Sequence, residues 1–139
     1  MKYKWNSYVL PKNDEIFFYH KVVCKKSNQL IKYSELEELS KSLGINLEYV
    51  PWDKNIPNSY TENKIVFSGF QDQKKKNTFS FIKHIRNAFC HLNIFVDDEW
   101  CYLRDEYENK NDKKKKKTTM TGKVKYEKLK SLIDNIIKD

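Results

Sequence analysis

Glycine and proline are scarce, with three of each in 139 residues. A chain so poor in turn formers is not expected to be turn-rich. Cysteine is equally sparse. Cys24, Cys90 and Cys101 are an odd number without a C-x-x-C pair, which excludes a disulfide framework. The three histidines, His20, His84 and His91, do not fall at zinc-finger spacing, so neither a metal site nor a cofactor is expected. No apolar run approaches the roughly 20 residues needed to span a bilayer. The opening Met1-Lys2-Tyr3-Lys4-Trp5-Asn6 lacks the apolar stretch of a signal peptide. These absences predict a soluble cytoplasmic protein with no membrane partner.

What is present suits one domain over residues 1–139, with 39% hydrophobic and 14% aromatic residues to supply a core. Lysine and arginine exceed aspartate and glutamate by 27 to 19, a formal net charge of +8, and such a surface attracts polyanions. Much of that charge lies in two runs, Lys74, Lys75 and Lys76, and Lys113, Lys114, Lys115, Lys116 and Lys117. Both runs are candidate nucleic-acid contacts. Residues 109–117 read as a flexible lysine-rich loop, too polar to pack.

Apolar patterning sets out the elements. Residues 14–24 fit a buried helix or a strand, with the helix favoured because Ile16, Phe17, Tyr19 and Val23 share a broad face, and His20 is expected to be partly buried. Ser34 and Glu37 form a capping-box pair, and Leu36, Leu39 and Leu43 follow at helical spacing until Gly44. Residues 45–60 hold Pro51 and Pro57 and read as an irregular loop whose Trp52 plugs the core. Asn77 or Thr78 opens the most regular helix, which runs to about His91. Two strands follow, Ile94-Phe95-Val96 and residues 100–104, with Asp97-Asp98 as their turn. Residues 118–125 make a third strand, and Tyr126, Leu129, Leu132, Ile133, Ile136 and Ile137 mark a terminal amphipathic helix.

On a helical wheel of about 100° per residue, Phe81, Ile82, Ile85, Ala88, Phe89 and Leu92 share one arc. Ser80, Lys83, His84, Arg86, Asn87, Cys90 and His91 share the other. Asn87 and His91 are four apart and therefore neighbours. Arg86 and His91 are five apart, about 140° around the helix. A guanidinium grips phosphate bidentately at any relevant pH. An imidazole moves protons near neutrality, and an amide both donates and accepts. This set suits phosphodiester chemistry without a metal. Read as structure alone, His91 would instead place a cation at the helix C-terminus, with His84 and Arg86 as solvent-facing residues.

The stretch from Phe81 to Ile94 resembles the signature helix of the HEPN superfamily (higher eukaryotes and prokaryotes nucleotide-binding domains). The hallmark is Arg, then a polar residue, then His after four to six intervening positions; here these are Arg86, Asn87 and His91. Leu92 stands where many relatives have glycine, and Asn93 is expected to take the left-handed turn in its place. The downstream plan is similar too, with a hairpin, a charged insert, Gly122 and a terminal helix.

The resemblance implies a mainly α (α+β) fold, a HEPN-like helical bundle with a small antiparallel hairpin or sheet before the C-terminal helix. It implies a homodimer whose two signature helices share a composite active site. It further implies a metal-independent endoribonuclease that uses 2′-hydroxyl attack to leave 2′,3′-cyclic phosphate ends. Arg86, Asn87 and His91 would be catalytic and His84 accessory. RNA would be held by Lys74, Lys75, Lys76, Lys83 and Lys113 to Lys117. A toxin or phage-defence role, with an antitoxin or other regulator as partner, follows from the same resemblance. The alternative is a HEPN domain without catalysis, serving as an RNA- or nucleotide-binding or dimerisation module.

Overall fold

A computed structural model of the chain describes residues 30–70, 76–91, 93–109 and 112–136. The helix expected over residues 14–24, with His20, lies outside these, as do Lys74, Lys75 and Leu92.

The described residues do not form a mainly helical bundle. They form a five-stranded mixed sheet with three helices: α1 (Tyr33–Ser42), β1 (Asn46–Val50), β2 (Lys64–Ser68), α2 (Thr78–Cys90), β3 (Ile94–Asp97), β4 (Trp100–Asn109), β5 (Asp112–Lys125) and α3 (Tyr126–Asn135). The strand order is β1-β2-β5-β4-β3. Strands β1 and β2 run parallel, and every other neighbouring pair is antiparallel.

Two stretches account for the difference from the expected bundle. Residues 46–50, expected to be irregular, pair in register with β2, from Asn46 opposite Lys64 to Val50 opposite Ser68. The lysine run, expected to be a flexible loop, belongs to β5 from Asp112 onward, with Lys116 opposite Glu108 and Lys117 opposite Tyr107. Opposite charges directly across an antiparallel pair stabilise it. Glu108 and Tyr107 of β4 thus give the end of the lysine run the partners that a loop reading ignores.

Side chains alternate across the sheet. Register puts Ile65, Phe67, Cys101, Leu103, Asp105, Met120, Gly122 and Val124 on one face. That face joins Leu36 of α1, Phe81, Ile85 and Ala88 of α2, and Leu129, Leu132 and Ile133 of α3 in one core. At its centre Gly122 lies between β2 and β4. A Cβ there would come 3.1 Å from Ile65 Cγ1 and 3.4 Å from Leu103 Cδ1, so the sheet centre is packed to contact.

Residues 51–63 cross the opposite face. Ile56 is buried there, Tyr60 stands edge-on to Tyr102 at 5.5 Å, and Arg104 donates to Asn58, Glu106 and Thr118. Its bond to Glu106 pushes the Arg104 guanidinium up from its ordinary value, against the effect of burial. Trp52 does not plug the core. It is half-buried against Tyr107, ring centroids 5.1 Å apart, with Lys117 over its face.

Two helix ends refine the sequence reading. The cap of α1 is Lys32 rather than Ser34, and the Glu35 carboxylate accepts from the Lys32 N–H at 3.3 Å. A lysine side chain has no acceptor, so only this half of a capping box forms. Gly44 closes α1 as expected. With φ of 73° it adopts the left-handed conformation, donating to Lys41 O while Ile45 donates to Ser40 O, the paired bonds of a Schellman turn.

The two described cysteines differ sharply. Cys90 is exposed on α2, and Cys101 is fully buried, where desolvation raises its thiol well above the ordinary value. A thiolate is the form that reacts. Iodoacetamide is therefore expected to label Cys90 of the native protein and to spare Cys101 until denaturant is added, as peptide mass mapping would show.

Candidate functional site

Helix α2 carries the signature residues, and its ends fix their position. Asn77 caps the start, its side chain accepting from the Ser80 N–H at 2.7 Å. At the other end His91 is the C-cap, its N–H donating to Asn87 O. Asn93 donates to Ala88 O at 2.7 Å and accepts from Arg104 N at 3.1 Å, which ties the helix end to β4. Asn93 does not take the left-handed turn expected of it, since the described non-glycine residues with positive φ are Asn63 and Asp98.

The polar arc of α2 divides in two. Cys90 and His91 are exposed, and Lys83, Arg86 and Asn87 are half-buried. Ser80 and His84 lie beneath them, wholly buried. His84 is thus not on the open strip where the wheel places it. Among the described residues, no hydrogen bond or ion pair engages the side chains of Arg86 and His91.

His84 is held from both sides of its ring. Nδ1 lies 2.7 Å from Asp105 Oδ2, and Nε2 lies 2.7 Å from the Ser68 carbonyl oxygen. A carbonyl only accepts, so Nε2 carries a proton, and one further proton lies between Nδ1 and Asp105 Oδ2. Asp105 is 2% exposed. Its Oδ2 also accepts from Asn87 Nδ2 at 3.3 Å, and its Oδ1 accepts from Glu106 N–H at 3.0 Å. Phe70 stacks on the imidazole, centroids 4.3 Å apart and planes 14° apart, while Lys83 Nζ lies 4.3 Å from the Phe70 ring centre. A ring face attracts cations. The helix is thereby clamped to β2 through Ser68 and to β4 through Asp105. Sequence reasoning missed both partners. Asp105 did leave a signal, as an acid at the inward position after Cys101 and Leu103.

The expected lysine contacts are spread out. Lys76 is exposed beside α2, with its Nζ 5.3 Å from the Tyr33 ring centre. Lys83 covers Phe70, Lys116 is exposed, and Lys117 donates to the Trp52 carbonyl. The side chains of Lys113, Lys114 and Lys115 lie outside the described residues. Among the described residues no cluster of three His, Cys, Asp or Glu side chains could hold a metal, and no helix is long and apolar enough to cross a membrane.

A family model described as HEPN pEK499 p136 matches residues 6–139. No curated protein and no solved structure matches the chain.

Proposed function

The chain belongs to the HEPN pEK499 p136 family, and from that premise we propose that it is a metal-independent endoribonuclease acting through Arg86, Asn87 and His91. The observation that carries this reading is the state of those side chains. On one helix an exposed imidazole and a guanidinium that no described residue engages flank an anchored amide.

In the proposed reaction the ribose 2′-hydroxyl attacks the adjacent phosphorus and the 5′-oxygen leaves. His91 transfers a proton, removing it from the 2′-hydroxyl or delivering it to the 5′-oxygen. Arg86 binds the non-bridging oxygens and stabilises the charge that grows on them in the transition state. The products are a 2′,3′-cyclic phosphate and a 5′-hydroxyl.

Two features favour a homodimer. One His91 cannot be base and acid in the same step. In one chain, moreover, Arg86 and His91 diverge by about 140° around the helix. A second copy of α2 facing the first would set the Arg of one chain near the His of the other. The lysines at 76, 83 and 116 would add salt-sensitive attraction for the strand. A toxin or defence role is the biological setting consistent with such an activity.

The experiment is cleavage of an end-labelled RNA and the matching DNA, each with and without EDTA. RNA cleavage is expected at equal rates with and without the chelator, and DNA is expected to stay intact because it lacks the nucleophile. Activity that disappears in EDTA contradicts the metal-free route. RNA that is shifted in a gel but never cut identifies a binding module instead.

A further inference from the structure

The clamp beneath the helix determines how Asn87 meets a ligand. An amide side chain offers a donor at one end and an acceptor at the other. One proton lies between Asp105 Oδ2 and His84 Nδ1, and Asp105 Oδ1 already accepts from the Glu106 N–H, so toward Asn87 the carboxyl only accepts. The end of Asn87 that faces it must therefore be the nitrogen, as the 3.3 Å contact from Nδ2 to Oδ2 has it. That leaves Oδ1 as the Asn87 atom free to be used from outside. Among the described residues nothing donates to it.

We propose that Asp105, braced by His84, is a positioning residue that locks Asn87 with its amide oxygen as the acceptor offered to a ligand, and that this acceptor reads the ribose 2′-hydroxyl. An acceptor does not recognise a phosphate, which presents only acceptors of its own. It recognises a donor, and the 2′-hydroxyl is the donor that distinguishes RNA from DNA. Asn87 thus selects the sugar, while Arg86 takes the phosphate. His84 is completely buried and touches no ligand; it holds the carboxylate in place, with its far nitrogen fixed on Ser68 O. The lock stands on the geometry alone, and only the identity of the ligand rests on the nuclease reading above.

Two measurements test this separately. In the free protein, the side-chain amide of Asn87 is followed by ¹⁵N–¹H NMR. One Nδ2 proton is expected to exchange slowly with water and to lose that protection in Asp105→Asn, where one carboxylate oxygen becomes a donor. Fast exchange of both protons in the wild type overturns the lock, whatever the protein does to RNA.

The second measurement is binding of a short RNA, and of the same strand with 2′-deoxy sugars, to the cleavage-deficient His91→Ala protein. A preference for ribose of about fivefold is expected, the worth of one hydrogen bond. It is expected to vanish when Asn87→Ala or Asp105→Asn is added. A preference unchanged by Asn87→Ala overturns the assignment of the 2′-hydroxyl. If Asp105→Asn does not fold, wild-type exchange and Asn87→Ala still decide both points. A protected Nδ2 proton in a protein that binds no RNA upholds the lock and overturns the ligand together with the nuclease reading.

Discussion

Alanine at position 91 is expected to lower the rate of RNA cleavage about 100-fold or more, the usual worth of a positioned acid–base group. The fold is expected to be unaffected. His91 is exposed at the C-cap of α2, and the cap bonds there are made by backbone N–H groups that alanine retains. Unfolding in urea should remain within about 0.5 kcal/mol of wild type, as for most surface substitutions. Arg86→Lys supplies the companion result. Lysine keeps the charge but loses the planar fork, so cleavage should fall between wild type and Arg86→Ala. Full activity in His91→Ala would remove the proposed catalyst.

The buried pair gives the opposite pattern, with a large effect on stability. In His84→Ala, Asp105 loses its imidazole partner and Ser68 O loses its donor. In Asp105→Ala, the imidazole and Asn87 lose their shared acceptor. Removing one partner of a buried ion pair costs about 3–5 kcal/mol, because the other is left buried without compensation. For a domain of this size that is a fall of roughly 10–20 °C in melting temperature, measurable by circular dichroism. Either single variant melting within a few degrees of wild type would show that the pair holds little of the fold. Replacing both residues by apolar ones of similar volume should cost much less than either single change. That double variant would still lack the anchor of Asn87, which separates stability from positioning.

Helix α2 was legible because its signals are local: a capping Asn77, apolar residues at 3.6-residue spacing and a tight run of Arg86, Asn87 and His91. The β3–β4 hairpin and α3 were legible on the same grounds. Strand β1 was not, because Pro51 and Pro57 beside it suggested a loop and its partner lies 18 positions along the chain, Asn46 against Lys64. The lysine half of β5 was hidden for a related reason. Its strand character comes from Glu108 and Tyr107 across the ladder rather than from its own propensity. With those two stretches read as loops, little stood against the helical bundle that the HEPN resemblance implied.

The wheel divided α2 correctly into apolar and polar arcs but could not show that part of the polar arc faces the sheet. His84 looked like a second surface histidine because its partners, Asp105 and the Ser68 carbonyl, are separated from it by 21 and 16 positions. An acid at an inward-facing position of β4 implied a buried polar partner. Nothing local to α2 said which residue it was.

Mass spectrometry of the RNA ends left after incubation with EDTA present bears most directly on whether this helix cleaves by proton transfer from His91. The account predicts 2′,3′-cyclic phosphate and 5′-hydroxyl ends with the wild-type protein and intact RNA with His91→Ala over the same interval. Ends bearing a 3′-hydroxyl and a 5′-phosphate, or the same fragments from both proteins, would contradict it.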